Sequence, residues 1–552
     1  MIATRLALRA ERGFSMFLVI MAMLLTSMFI AAGFAAANGD LPISGVSKDR
    51  KITYAAAEAG LNFYLNHLQQ DNDYWTKCDQ VPAPNASENN PVNQQVDPGQ
   101  PDTRRWRNLP GSAASQYTIE LLHTKNYTKC ETDPKKQDSF VDLATGTFKV
   151  RITGRPTATS TQRRSIVATF RRKGFLNFIY FTDFETLDPQ ALSSKSARDT
   201  AQANCGDKYR SERAGNGCTE IQFVTGDELK GPVHTNDDNL LLCGSPVFGR
   251  SDRIDTVEVS DGAPGYVKNG SSCSATPTIN TPTGKFSVNS AAMNMPTSND
   301  QLSDVAENGG LSYSGKTIVR LKTGGLMDVT NYATGSPVTQ TNVAWPLNGV
   351  LYVKNNGACT GEYPTAAKYT ESVTCGNVYV SGTYSTSMTI AAANDVIIRP
   401  TSGGLLSNKS DDASITRQST SDATLGLIAN NFVRVAHMVT RESDGDCIGN
   451  VDTTNDPIVR NITIDAAILS LQHSFIVDNY ECGRLGTLSV NGAIAQKYRG
   501  PVGTGSGANP STGFLKDYEY DDRFRYRSPP YFLNPIDSAW DVIRSHEQVP
   551  AR

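Results

Sequence analysis

Arg12-Gly13-Phe14-Ser15-Met16-Phe17-Leu18-Val19-Ile20-Met21-Ala22-Met23-Leu24-Leu25-Thr26-Ser27-Met28-Phe29-Ile30-Ala31-Ala32-Gly33-Phe34-Ala35-Ala36-Ala37 is the stretch from which the rest of the chain is read. Arg5, Arg9 and Glu11 precede it, and after Arg12 no charge occurs until Asp40. As a helix, the apolar run from Phe14 to Ala37 exceeds the roughly 20 residues needed to cross a hydrocarbon layer. The arginines on its N-terminal side predict that this end stays in the cytoplasm and that the rest is exported. A cleaved secretory signal ending at Ala35-Ala36-Ala37 is the competing reading.

The next segment favours a retained helix. After a break marked by Gly39, Pro42 and Gly45, the run from Ser47 to Leu65 places Ile52, Ala55, Ala56, Ala59 and Phe63 at helical spacing. Lys51, Glu58 and Asn62 fall on other faces. An apolar helix followed by an amphipathic one resembles the layout of a type IV pilin. Arg12-Gly13-Phe14-Ser15 resembles the cut site of a class III signal, and Ala57-Glu58-Ala59 after Lys48-Asp49-Arg50 resembles the N-terminal segment of PilX-type minor pilins. The likeness covers residues 9–68. It implies cleavage by a leader peptidase after Gly13, with Phe14 as the mature N-terminus. It also implies other pilins, the pilus assembly machinery and the membrane as partners. Leu18 stands at the fifth mature position, where most major pilins carry glutamate. That departure points to a minor component.

Charge and cysteine content fit an exported protein. The 552 residues carry a formal charge of −3, with no basic excess to suggest nucleic acid. Ten cysteines all follow the apolar run: Cys78, Cys130, Cys205, Cys218, Cys243, Cys273, Cys359, Cys375, Cys447 and Cys482. An even number confined to the exported part reads as disulfides. Consecutive pairing is the simplest expectation, although sequence does not determine connectivity. No C-x-x-C pair occurs, which argues against a zinc ribbon or a thioredoxin-type site.

The expected class is α+β. A long N-terminal helix covers an antiparallel sheet, and a large mainly-β domain, a β-solenoid in preference to a sandwich, follows. Residues 1–13 read as leader, 14–37 as the transmembrane or filament-core helix and 38–190 as a pilin-like head. Residues 71–112 within the head read as a linker. Residues 200–510 read as the β domain and 511–552 as a C-terminal clamp or tail. In the head, Phe148, Val150 and Ile152 alternate with Lys149, Arg151 and Thr153, so one face is apolar and the other wet. The helix at 47–68 is the expected cover. Residues 175–185 read as a further strand of this part. From about residue 220, short strands alternate with Gly, Asn, Asp and Ser, and helices look scarce. Gly226-Asp-Glu-Leu-Lys-Gly-Pro-Val-His-Thr-Asn236, Gly486-Thr-Leu-Ser-Val-Asn-Gly-Ala-Ile-Ala495 and Tyr518-Glu-Tyr-Asp-Asp-Arg523 are similar to parts of the large exported domain that follows pilin-type N-termini in bacterial surface proteins. That likeness covers most of 220–535 and implies no particular chemistry.

Signatures of catalysis and metal binding are weak, and no cofactor is expected. His234 is placed to pair with Asp237 as a base, but a structural histidine in a polar turn is the simpler reading. There is no H-E-x-x-H, nucleophile elbow or phosphate loop. The 518–525 run offers carboxylates and arginines, which favour a clamp of paired charges over a lyase site. Glu442-Ser-Asp-Gly-Asp446 resembles half a calcium loop without its downstream glutamate. Asn85, Asn126 and Asn461 sit in glycosylation-type triplets that mean little in a bacterial chain. The expected function is a pilus-associated structural protein whose β domain serves assembly or adhesion to a host or surface ligand. The alternatives are a membrane-tethered enzyme acting on polysaccharide and a plain secreted surface protein.

Overall fold

The computed structural model describes residues 14–71, 74–75, 92–93, 106–109, 111–112, 114–122, 140–142, 146–192, 194–359, 372–407, 413–439, 447, 459–505, 511–525, 527–536 and 540–551. Helix α1 runs unbroken from Phe14 to Gln70. The expected break at Gly39–Gly45 is absent. Pro42 forgoes one backbone hydrogen bond, but alanine-rich turns before it and helix formers after Ser47 carry the helix through.

The second half of α1 packs on a head sheet. Strands β1 (Gln116–Leu122), β2 (Thr147–Arg155) and β3 (Arg164–Arg172) are antiparallel, with Ile119 opposite Ile152 and Phe148 opposite Phe170. Phe148, Val150 and Ile152 are buried and Lys149 is exposed, as the alternation predicts, but on the expected wet face Arg151 is only partly exposed and Thr153 is buried. The helix face differs from expectation. Thr53, Ala56, Ala57, Gly60, Tyr64 and Leu68 are buried, whereas Ala55 is exposed and Phe63 only half-buried. Close approach explains the rotation. A Cβ on Gly154 would lie 2.1 Å from the Thr53 carbonyl oxygen, and one on Gly60 would lie 2.7 Å from Ile152 and Tyr117. Helix and sheet therefore meet through small residues around Thr53–Gly60 and through Tyr64 and Leu68 beyond, and Phe63 is turned to the flank, where Arg107 stacks on its ring.

The domain boundaries also need correction. Strand β4 (Tyr180–Leu187), expected in the head, pairs entirely within the large domain. The head sheet is completed instead by β5 (Trp540–Gln548), antiparallel to β3, from the segment expected to be a tail. The large domain is thus inserted between two neighbouring strands of the head.

That domain is built from parallel columns of short strands. One column stacks Leu311–Ser314, Val350–Lys354, Met388–Ala392, Leu425–Ala429, Ala467–Ser470, Arg484–Arg499, β4, Val233–Thr235 and Val257–Glu258. A second includes Thr317–Lys322, Val378–Tyr384, Val396–Ile398, Val433–Val435 and Phe475–Val477. Side chains at equivalent corners meet from rung to rung. Asn394 donates to Asn377 at 2.6 Å, and Asn431 donates to Asn394. Short α-helices also occur at Lys195–Cys205 and Asp300–Glu307.

The expected class is therefore corrected to mainly β, with 39% strand against 18% helix in a multi-sheet domain. A continuously wound β-solenoid does not describe it. The chain enters mid-column at β4, builds outward to Val257–Glu258, and crosses to Leu311–Ser314 at the far end. It then stacks back until Arg484–Arg499 meets β4. An antiparallel meander, Thr317–Lys322 with Leu326–Asn331 and Val338–Ala344, further departs from a coil.

Candidate functional site

Two features stand out: the unpacked half of α1 and the seam where the column closes. Every residue from Val19 to Ala31 is exposed, with Met16, Met28 and Phe29 at 73%, 69% and 75%. Among the described residues no helix is long and apolar enough to cross a membrane. The cleavage residue Gly13 and the Phe14 and Leu18 side chains lie outside the described residues, as do the side chains of 32–46.

The seam joins the first strands of the domain to the last. Arg499, buried, donates from Nη1 to Glu185 at 3.1 Å and stacks its guanidinium 3.6 Å from the Phe223 ring centre. Lys516 reaches Asp227 at 3.1 Å, and Lys230 reaches Asp517 at 2.7 Å. Lys497 lies 2.7 Å from Asp207. Arg250 bridges Asp255 and Asp522, and Arg525 reaches the same two carboxylates. The 518–525 run is thus a clamp of paired charges. Sequence reading missed the rest of the seam, although charged residues among buried strand positions, such as Glu185 and Arg499, were a visible signal.

The proposed His234–Asp237 pair does not form. His234 is buried, with Nδ1 2.9 Å from Glu258 and Nε2 3.0 Å from Asn236, and its ring stacks on Phe181. Burial opposes charge on Glu258, yet His234 and Lys173 together hold its carboxyl down at about 2. Asp237 instead pairs with Arg213 at 2.7 Å and accepts backbone N–H groups of Arg210, Glu185 and Asp238. Burial still raises its carboxyl to about 6. A second histidine, His473, lies 3.2 Å from Asp188, to which Ser474 also donates at 2.9 Å. A nucleophilic relay needs serine on histidine and histidine on acid. Here the acid holds both, and the serine is buried. Among the described residues no group of His, Cys, Asp and Glu is arranged to hold a metal. Glu442–Asp446, Asn85 and Asn126 lie outside the described residues, as does most of the 71–112 linker; Asn461 is exposed.

Four disulfides join Cys205 to Cys218, Cys243 to Cys273, Cys359 to Cys375 and Cys447 to Cys482. Cys78 and Cys130 lie outside the described residues. Each bridge closes a loop of 13 to 35 residues and so limits the unfolded chain, and Cys205, Cys375 and Cys482 are also buried. Replacing Cys243 and Cys273 together by serine should cost about 2–5 kcal/mol. Urea unfolding of the double variant checks this; an unchanged midpoint would show that the bridge is dispensable.

No family model and no curated protein matches the chain. Among solved structures it is similar to the competence-associated pilin ComZ from Thermus thermophilus. That likeness has 11% identity and a TM-score of 0.28, over 91% of this chain and 98% of that one. A score so low carries no argument about this chain.

Proposed function

We propose that this chain is a pilin-like, pilus-associated structural protein of the PilX minor type. The observation that carries the reading is α1. One continuous helix packs its second half on an antiparallel sheet and leaves the apolar run from Val19 to Ala31 exposed. Contiguous exposed apolar surface of that size marks a contact with membrane or protein. In this reading the helix anchors the chain in the inner membrane before assembly, with its N-terminus cytoplasmic, and in the filament afterwards, among other pilins. Leader peptidase cuts after Gly13. The bulk lies outside the cell and works by contact, in assembly or adhesion, without catalysis.

Two measurements test this. Mass spectrometry of the mature protein should find Phe14 as the first residue. A chain lacking residues 14–37 should leave the membrane and pilus fractions while keeping its circular dichroism in the strand region. A mature start near Asn38, or membrane association without the helix, would sink the proposal. So would robust cleavage of a polysaccharide panel.

A further inference from the structure

Lys516 lies in Thr512–Tyr520, on the same strand face as the buried Phe514, Tyr518 and Tyr520. Asp227 directly precedes Glu228–Lys230, which pairs in parallel with residues 517–519. The Lys516 Nζ is 3.1 and 3.2 Å from the two Asp227 carboxylate oxygens, across 289 residues of chain. Their side chains are 17% and 7% exposed, the most enclosed lysine–carboxylate contact among the described residues. Lys322–Asp328 is 37% and 8% exposed, and Lys230–Asp517 is 36% and 41%. The other enclosed ion pairs use arginine, whose guanidinium does not give up its proton, or the histidines His234 and His473, which carry no primary amine.

The surroundings are apolar and otherwise charge-balanced. The Lys516 Nζ lies 5.9 Å from the centre of the buried Phe223 ring, and Arg499 is matched by Glu185. Burial pulls the Lys516 ammonium below the usual lysine range; Asp227 opposes that shift and Arg499 adds to it. Desolvation of this kind disfavours the charged ammonium.

We propose that Lys516 and Asp227 are joined by an intramolecular amide bond formed after folding. One proton passes from Nζ to the carboxylate, giving amine and carboxylic acid. The Nζ lone pair attacks Asp227 Cγ. A nitrogen proton and the carboxyl hydroxyl then leave as water, and the amide keeps one N–H. Atoms balance without oxidant, reductant or co-reactant. Fixed proximity supplies the drive that dilute amine and acid lack, since held pairs reach effective molarities of about 100,000 M or more. The bond would tie the rung where the chain enters the domain to the rung where it leaves.

The test is the mass of the purified full chain after reduction and alkylation, followed by proteolytic mapping. The expected result is a deficit of one water and a branched peptide containing both Lys516 and Asp227. A Lys516→Arg chain, folded or not, should show neither. Wild-type material at full mass, with the two residues in separate peptides, would overturn the proposal and leave an ion pair only.

Discussion

Removing residues 540–552 should unfold the head while leaving the large domain intact. Strand β5 supplies Trp540, which is 4% exposed and meets Phe148 edge-on at 4.7 Å between ring centres. Phe148 in turn stacks on Phe170 and contacts Tyr64 of α1. Truncation would strip one edge of β3 and open the aromatic core under the helix. Loss of a buried tryptophan side chain alone costs about 3–5 kcal/mol, a large share of the roughly 5–15 kcal/mol that holds a domain. The truncated chain should show new proteolytic cuts in α1 between Lys51 and Gln70. The columns of the large domain, whose own core does not include Trp540, should keep their melting transition. Trp540→Ala should give a weaker version of the same pattern. Equal protease resistance of the helix in truncated and intact chains would show that β5 is an accessory strand.

This dependence on the last strand illustrates what the sequence carried and what it hid. The alternation at 147–153 is local, so the head strands and their inward faces were legible. Partnership of β5 with β3 is not local: it joins residues more than three hundred positions apart, and nothing in Trp540–Gln548 names its neighbour. The same holds for β4, whose run from Phe175 follows the head strands in sequence but pairs with Arg484–Arg499. The buried stripe of α1 was misread for a different reason. Hydrophobic periodicity ranks Phe63 and Ile52 above Gly60 and Thr53, yet the close helix–sheet approach at Gly60 and Gly154 admits only small side chains there. A repeat was available and overlooked. Met388 to Ile398, Leu425 to Val435 and Ala467 to Val477 share one strand–corner–strand pattern, and side chains spaced 37 residues apart meet, as Asn394 and Asn431 do. Of the chemistry, the paired charges at 518–525 and the preference for a structural His234 over a His234–Asp237 base were read correctly, while the actual partners, Glu258 and Arg213, were not legible.

The buried arginine in Val433-Arg434-Val435 should be the most sensitive single residue of the large domain. Arg434 is fully buried, with Nε 3.1 Å from Asp395 and Nη1 3.4 Å from Asp478. Arg434 lies between the two acids, and all three are buried. Removing one member of a buried ionic set costs about 3–5 kcal/mol, because the remaining charge stays uncompensated. Arg434→Met should therefore lower stability by about that much at neutral pH. The cost should depend on pH. In the intact protein burial raises the Asp478 carboxyl from 3.8 to about 6, against the pull of Arg434, and Asp395 is raised as well. A carboxyl raised on folding binds its proton more tightly in the folded state. Its penalty is absent below the ordinary carboxylate range, grows as pH climbs from about 4 to about 6, and is complete above that. Asp478→Asn should flatten this part of the stability–pH curve. Without Arg434 both carboxyls lose the cation that most opposes the effect of burial, so the decline should extend further towards alkaline pH, while at pH near 4 the variant should approach the wild type. Replacing all three residues, Arg434→Met with Asp395→Asn and Asp478→Asn, removes the orphaned charges and should recover most of the loss, since neutral substitutes for a buried ionic set are often no less stable. The asparagine at 395 keeps an acceptor for the Phe432 backbone N–H. Urea unfolding of the four proteins at pH 4, 5.5 and 7 is the measurement. An Arg434→Met chain as stable as wild type at pH 7 would show that the ionic set adds nothing to stability there, and a triple variant worse than the single one would show that the set stabilises through its contacts and not through mutual charge compensation.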